Sequence, residues 1–193
     1  MKILLTGAFK YSEEELDELK NMGLEIFYLQ NENEDIEFDI ADIEYVICNA
    51  LFLYHDIKLF KKLKYIQVTS AGLDRLPMDY ILSKKIKLFN ARGVYSIPIA
   101  EWTVLKILEI YKRSKTFYKQ QEKHEWIKQR DLIELNGRTA CIIGYGSIGK
   151  EIAKRLNAFN VKLRVVDMKE QLNSSNIEYF SVKKTNEPIL NCD

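Results

Sequence analysis

The segment from Arg138 to Gly149 limits what this chain can fold into more than any other. It reads Arg-Thr-Ala-Cys-Ile-Ile-Gly-Tyr-Gly-Ser-Ile-Gly, a short apolar run followed by glycines spaced Gly-x-Gly-x-x-Gly. Thr139–Ile143 suits a buried parallel strand. Beyond it Ile148, Ile152, Leu156 and Phe159 recur at helical spacing, with Lys150, Glu151, Lys154 and Arg155 between them. Leu163 to Val166 reads as a second strand, and Asp167 closes it about 20 residues past the turn. Strand, glycine turn, helix, strand, acid is the order that a dinucleotide pyrophosphate requires. Gly144 makes the tight turn, Gly146 lets backbone approach the phosphates, and Gly149 lets the helix pack close to the sheet. Ser147 and Ile148 open the helix, where free N–H groups and the positive end of the helix dipole face an anion.

Two other readings fit the same turn. The glycines could serve packing alone, and S-adenosylmethionine sites also follow a glycine-rich βα turn. The third glycine and Asp167 favour a dinucleotide. The carboxylate would repel a 2′-phosphate, so NAD is the expected cofactor rather than NADP, although Met168 and Lys169 follow and a nearby cation would offset part of that repulsion. The cofactor-binding set read here is Gly144, Tyr145, Gly146, Ser147, Ile148, Gly149 and Asp167.

Charge narrows the partners. Lys and Arg number 29 against 28 Asp and Glu, a net charge of +1, so no basic footprint for nucleic acid or an anionic membrane is present. Cys48, Cys141 and Cys192 stand far apart with no metal-ligand spacing, which suggests a reducing cytoplasm and no metal site. No apolar run approaches the length of a membrane span.

Upstream, strands and helices alternate. Strands are expected at Lys2 to Thr6, Glu25 to Leu29, Ile43 to Cys48, Tyr65 to Thr69 and Lys87 to Asn90. Helices are expected after Ser12-Glu-Glu-Glu15, which looks like a capping box, near Ile57 to Leu63, and around Met78 to Ser83. This alternation indicates α/β architecture with a parallel sheet covered on both faces. Pro98 sits in the first turn of a long helix expected to run to about Tyr118. The polar stretch that follows contains Trp126, expected to anchor it. Three segments result: 1–97, 98–136 and 137–193.

With these pieces in place the chain resembles the D-isomer-specific 2-hydroxyacid dehydrogenases. Ser70-Ala-Gly-Leu-Asp74 is similar to the family's substrate loop after the fourth strand. Asn90 and Gly93 resemble its crossing segment, and Ala100-Glu101 its interdomain helix. Trp126, Glu134-Leu135 and Gly137-Arg138-Thr139 then lead into the glycine turn. The resemblance covers essentially the whole chain. It implies two doubly wound, Rossmann-like domains: a flavodoxin-like substrate domain (1–97) and an NAD-binding domain (137–193), with the long helix and its arm (98–136) between them. Substrate and nicotinamide would meet in the intervening cleft. It also implies substrate contacts from Ser70, Ala71, Gly72 and Tyr95. Backbone N–H groups of the Ala71-Gly72 loop would hold a 2-hydroxy or 2-oxo acid carboxylate, as a nest of consecutive amides can; Tyr95 is as readily a packing residue. A homodimer is implied by resemblance only.

The family's catalytic Arg, Glu and His have no match here. His55, in Leu-Tyr-His-Asp, reads as an exposed loop residue, and His124 as surface, so no catalytic residue is assigned. A βαβ unit takes about 30 residues or more, so three strands use up 138–193. Only the adenosine half of a dinucleotide fold is expected, and the Thr139–Ile143 strand should expose an edge open to self-pairing. Three readings follow. The chain is a shortened NAD-dependent oxidoreductase, inactive alone; or a non-catalytic NAD-responsive binding or scaffold protein; or a remnant without activity.

Overall fold

The strands at Lys2–Thr6, Tyr45–Cys48 and Tyr65–Val68 bury Val, Ile and Leu, as parallel strands between helices do, while the strands at the sheet's two edges are more exposed. The computed structural model describes residues 1–168 and 176–193, which divide into two compact units, Met1–Arg92 and Gly93–Asp193. In the first, β1 (Lys2–Thr6), β2 (Glu25–Leu29), β3 (Tyr45–Cys48), β4 (Tyr65–Val68) and β5 (Lys87–Phe89) form one parallel sheet in the order β2-β1-β3-β4-β5. This is the flavodoxin-like order, whose direction reverses between β1 and β3. Leu4, Val46, Ile66 and Val68 are buried in its core with Ile43, Leu51 and Ile81.

Helix α1 (Glu13–Asn21) begins at the expected capping box. Ser12 Oγ accepts from Glu15 N–H at 3.2 Å, and the Glu15 carboxylate accepts from Ser12 N–H at 2.8 Å. Helix α2 (Met78–Ser83) also lies where the pattern places it. The helix expected near Ile57 to Leu63 is instead a pair of 3₁₀ turns, Leu51–Leu53 and Ile57–Leu59. Its backbone donors are spent elsewhere: Asp56 caps Lys58 N–H at 2.9 Å, and Lys62 N–H reaches Ala41 C=O at 3.1 Å.

The second unit opens with α3 (Ser96–Tyr111) and α4 (Ser114–Glu122), then β6 (Thr139–Ile143), α5 (Ser147–Asn157), β7 (Lys162–Asp167), β8 (Ile177–Ser181) and α6 (Asn186–Leu190). Its sheet is parallel in the order β6-β7-β8. Val104 of α3 packs with Ala153 and Leu156 of α5 over Ile142, Leu163 and Val165. The expected single helix to Tyr118 is therefore two. Arg113 between them is left-handed (φ +50°), the Arg113 guanidinium pairs with Asp131, and Ile133 N–H bonds Tyr111 C=O at 3.1 Å. These bonds from the following loop hold a corner that no glycine or proline announces.

Trp126 differs from expectation too. It is 100% exposed and anchors nothing within the chain among the described residues. The outer edge of β6 meets Asp193, whose N–H bonds Thr139 C=O at 3.1 Å. Its side chain accepts from Thr139 N–H and pairs with Arg138, both at 2.8 Å. No described helix is long and apolar enough to cross a membrane.

Candidate functional site

In the second unit the turn after β6 forms at the carboxyl end of the sheet. Gly144 takes φ +93°, a conformation that disfavours any side chain, and its N–H closes on Val166 C=O at 2.8 Å. Gly149 is buried, and a Cβ there would stand 2.1 Å from Gly144 C=O and 3.3 Å from Ile142. That contact fixes how closely α5 approaches the strand. Gly146, the residue capping α5, differs: a Cβ there would meet nothing within 4 Å. Its open side is where a ligand could lie against bare backbone.

The N–H groups of Gly146, Ser147, Ile148 and Gly149 find no acceptor among the described residues. The helical ladder starts with Lys150 N–H to Gly146 C=O at 3.0 Å. A helix start with orphan donors and a favourable dipole is an anion site. Asp167 ends the neighbouring strand, and its carboxylate accepts Tyr145 N–H at 2.6 Å. The acid and the glycine turn are thus tied into one piece. A carboxylate has lone pairs for several donors, so this tether is compatible with a second role for Asp167 toward hydroxyls.

The Tyr145 ring turns into the unit. It meets Tyr179 edge-on at 5.5 Å, and Lys150 lies 5.8 Å over its face. Burial, and then the bond to Tyr179, push its phenol up to about 12, so this hydroxyl stays protonated at neutral pH. Its place at the site is through its backbone. Met168 is 90% exposed just beyond Asp167, and Lys169 lies outside the described residues.

The first unit has its own polar edge. Loop Ser70-Ala71-Gly72 follows β4 and is held from behind: Asn90 Nδ2 donates to Ala71 C=O at 2.8 Å and Ala91 N–H to Ser70 C=O at 2.9 Å. The N–H groups of Ser70, Ala71 and Gly72 find no acceptor among the described residues, which leaves three consecutive donors at this loop, the kind of group from which an anion nest can be built. Ala71 and Gly72 are exposed. Tyr95 belongs to the second unit, where it caps α3 and its C=O accepts Ile99 N–H at 3.1 Å; the residue is about half exposed.

Sequence reasoning missed Glu32. Its carboxylate accepts from Thr6 Oγ1 at 2.7 Å and from Asn49 N–H and Ala50 N–H at 2.6 Å each, at the point between β1 and β3 where the sheet reverses direction. This is the crevice in which folds of this order take ligands; here the chain's own carboxylate fills it. His55 Nε2 lies 2.9 Å from Glu32 C=O, so this histidine serves the loop. His124 is exposed in a left-handed turn (φ +54°). Only the position of Glu32 three residues past the end of β2, at the sheet's carboxyl edge, could have flagged it. No cluster of potential metal ligands occurs among the described residues.

Residues 104–193 match the family model described as D-isomer specific 2-hydroxyacid dehydrogenase, NAD binding domain. The chain is 27% identical over 156 residues to formate dehydrogenase of Candida boidinii, covering 75% of this chain and 43% of that protein. It is 32% identical over 108 residues to D-3-phosphoglycerate dehydrogenase of Methanocaldococcus jannaschii, covering 55% and 21%. Among solved structures, D-lactate dehydrogenase of Aquifex aeolicus, complexed with NAD and lactic acid, superposes with a TM-score of 0.81 at 22% identity, over 99% of this chain and 58% of that one. The chain thus spans less than two thirds of the length of each.

Proposed function

We propose that the chain is a member of the D-isomer-specific 2-hydroxyacid dehydrogenase family, whose NAD-binding domain residues 104–193 match, and that the Gly93–Asp193 unit holds the ADP part of NAD while the Met1–Arg92 unit holds a 2-hydroxy or 2-oxo acid. One observation carries the first part: four orphan amides at the start of α5, open space over Gly146, and Asp167 tied to the same turn. The amides of Ser147 and Ile148 would take the pyrophosphate and Asp167 the adenosine ribose hydroxyls. The Ser70–Gly72 amides would take the acid's carboxylate. NAD supplies hydride exchange between its nicotinamide C4 and C2 of the acid.

This chain's residues bind and orient. Its histidines are engaged elsewhere or exposed, so we assign no proton-transfer group and expect no turnover from the chain alone. NADH oxidation dependent on pyruvate or hydroxypyruvate, measured with the pure chain, would contradict that. In calorimetry, ADP-ribose is expected to bind as tightly as NADH. Asp167→Asn keeps an acceptor for Tyr145 N–H while removing the charge. It should weaken ADP-ribose about tenfold, the worth of one charged hydrogen bond, and reduce discrimination against the 2′-phosphorylated analogue. Unchanged affinity for both ligands would remove Asp167 from the site.

We also propose a homodimer, supported by apolar side chains the unit leaves bare: Trp126 at 100%, Ile110 at 73% and Trp102 at 61% exposure. Sedimentation at micromolar concentration should give a dimer, and Trp102→Glu a monomer. A monomeric parent chain would refute the proposal. Three free thiols fit a reducing, cytoplasmic setting.

A further inference from the structure

Arg75 lies three residues beyond the Ser70–Gly72 loop. Its Nη1 donates to Asn49 Oδ1 at 3.3 Å, which holds the guanidinium over the end of β3, the strand beside β4. Asn49 is itself fixed, because Glu32 takes its backbone N–H and that of Ala50. A row of polar contacts therefore runs along the sheet's carboxyl edge from Thr6 through Glu32 and Asn49 to Arg75. Arg75 is exposed and pairs with no carboxylate among the described residues. A guanidinium carries five donors in a planar fork, and one weak bond to an amide oxygen leaves most of that fork for an oxyanion.

The charge around the nest makes this cation matter. Asp74 Oδ1 lies 2.7 Å from where a Gly72 Cβ would stand, so a carboxylate already sits against the loop. Its field opposes an incoming anion. The nest amides carry only partial charges and serve one carboxylate, so a second anionic group on the ligand needs a cation of its own, which Arg75 can supply.

We propose that Arg75 is a specificity-determining residue: held by Asn49, its guanidinium receives a second anionic group of the ligand whose carboxylate rests on the Ser70–Gly72 amides, so that the site selects acids with two negative groups, a dicarboxylate or a phosphorylated acid, over simple monoanions. This rests on the reading of the amide loop as the carboxylate site. A fork-to-oxyanion contact is charge-assisted and bidentate, and it is available to the dianion alone.

The test compares matched pairs by calorimetry on the 193-residue chain: glycolate against 2-phosphoglycolate, and D-lactate against D-malate. Each dianion is expected to bind about tenfold or more tightly than its monoanion, a difference of about 1.4 kcal/mol. The two pairs separate phosphate from carboxylate as the second group. Arg75→Gln should bring the dianions down to the monoanion level, leave the monoanions within about twofold, and leave the melting temperature and ADP-ribose binding unchanged. Arg75→Lys should restore part of the preference, since a point charge replaces a planar fork. Equal affinities within each pair, or equal weakening of both members by Arg75→Gln, would overturn the role of Arg75 and leave the amide loop standing. Absence of binding by all four acids, with ADP-ribose still bound, would instead remove the amide loop as the carboxylate site, and this inference with it.

Discussion

Gly149→Ala is expected to abolish measurable ADP-ribose binding and to destabilise the second unit by about 3 kcal/mol, the upper part of the overpacking range. The added methyl would stand 2.1 Å from Gly144 C=O, and that atom is backbone. No rotamer change can relieve the clash. Either α5 moves off β6 or the Gly144 turn deforms, and both shift the orphan amides at the helix start. Gly146→Ala is the control. Its methyl points into open space, so the fold should melt as the parent does while ADP-ribose affinity falls, because the methyl occupies the ligand's approach. Thermal denaturation and calorimetry on the two variants separate packing from binding. An alanine at 149 that melts and binds like the parent would show that α5 is not seated as described.

Glu32→Ala should cost the first unit about 2–4 kcal/mol, read from urea unfolding as a lower midpoint at unchanged slope. Three donors lose their acceptor together: Thr6 Oγ1, Asn49 N–H and Ala50 N–H. Thr6 is fully buried and water reaches it poorly, so its hydroxyl would be left unsatisfied. Glu32→Gln should fail almost as badly. The amide replaces one acceptor oxygen with a donor, and each of the two Glu32 oxygens faces at least one backbone N–H. If the glutamine variant unfolds at the parent's midpoint, the network is incidental to stability.

Why one site was legible and the other was not follows from the distances along the chain that each needs. The turn at Gly144–Gly149 is local. Its glycines are demanded by backbone geometry, its helix shows in the spacing of Ile148, Ile152 and Leu156, and Asp167 sits one strand away. The strands of the first unit were equally open to reading, since composition marks a buried parallel strand: Ile3, Leu4 and Leu5 follow one another in the first and all are buried. Glu32 was hidden among Asn31, Glu34 and Asp35 in what reads as a solvated acidic loop. Its partners Thr6, Asn49 and Ala50 are brought to it only by tertiary folding. Arg75 is likewise an ordinary polar residue until β3 delivers Asn49 beside it. The break at Arg113 gave no signal because loop bonds from Asp131 and Ile133, and no residue type, impose it. Trp126 looked like an anchor because a large aromatic is the same letter whether its own chain or another covers it.

The left-handed residue at Arg113 also sets a shape requirement on anything that covers the bare apolar side chains. Trp102, Leu105 and Ile110 lie before the bend, Phe117 and Tyr118 after it, and all five are exposed. Covering all five takes a partner that reaches both helices. In a twofold arrangement each copy would use the same two helices toward the other, so the bend at Arg113 would enter such an interface twice.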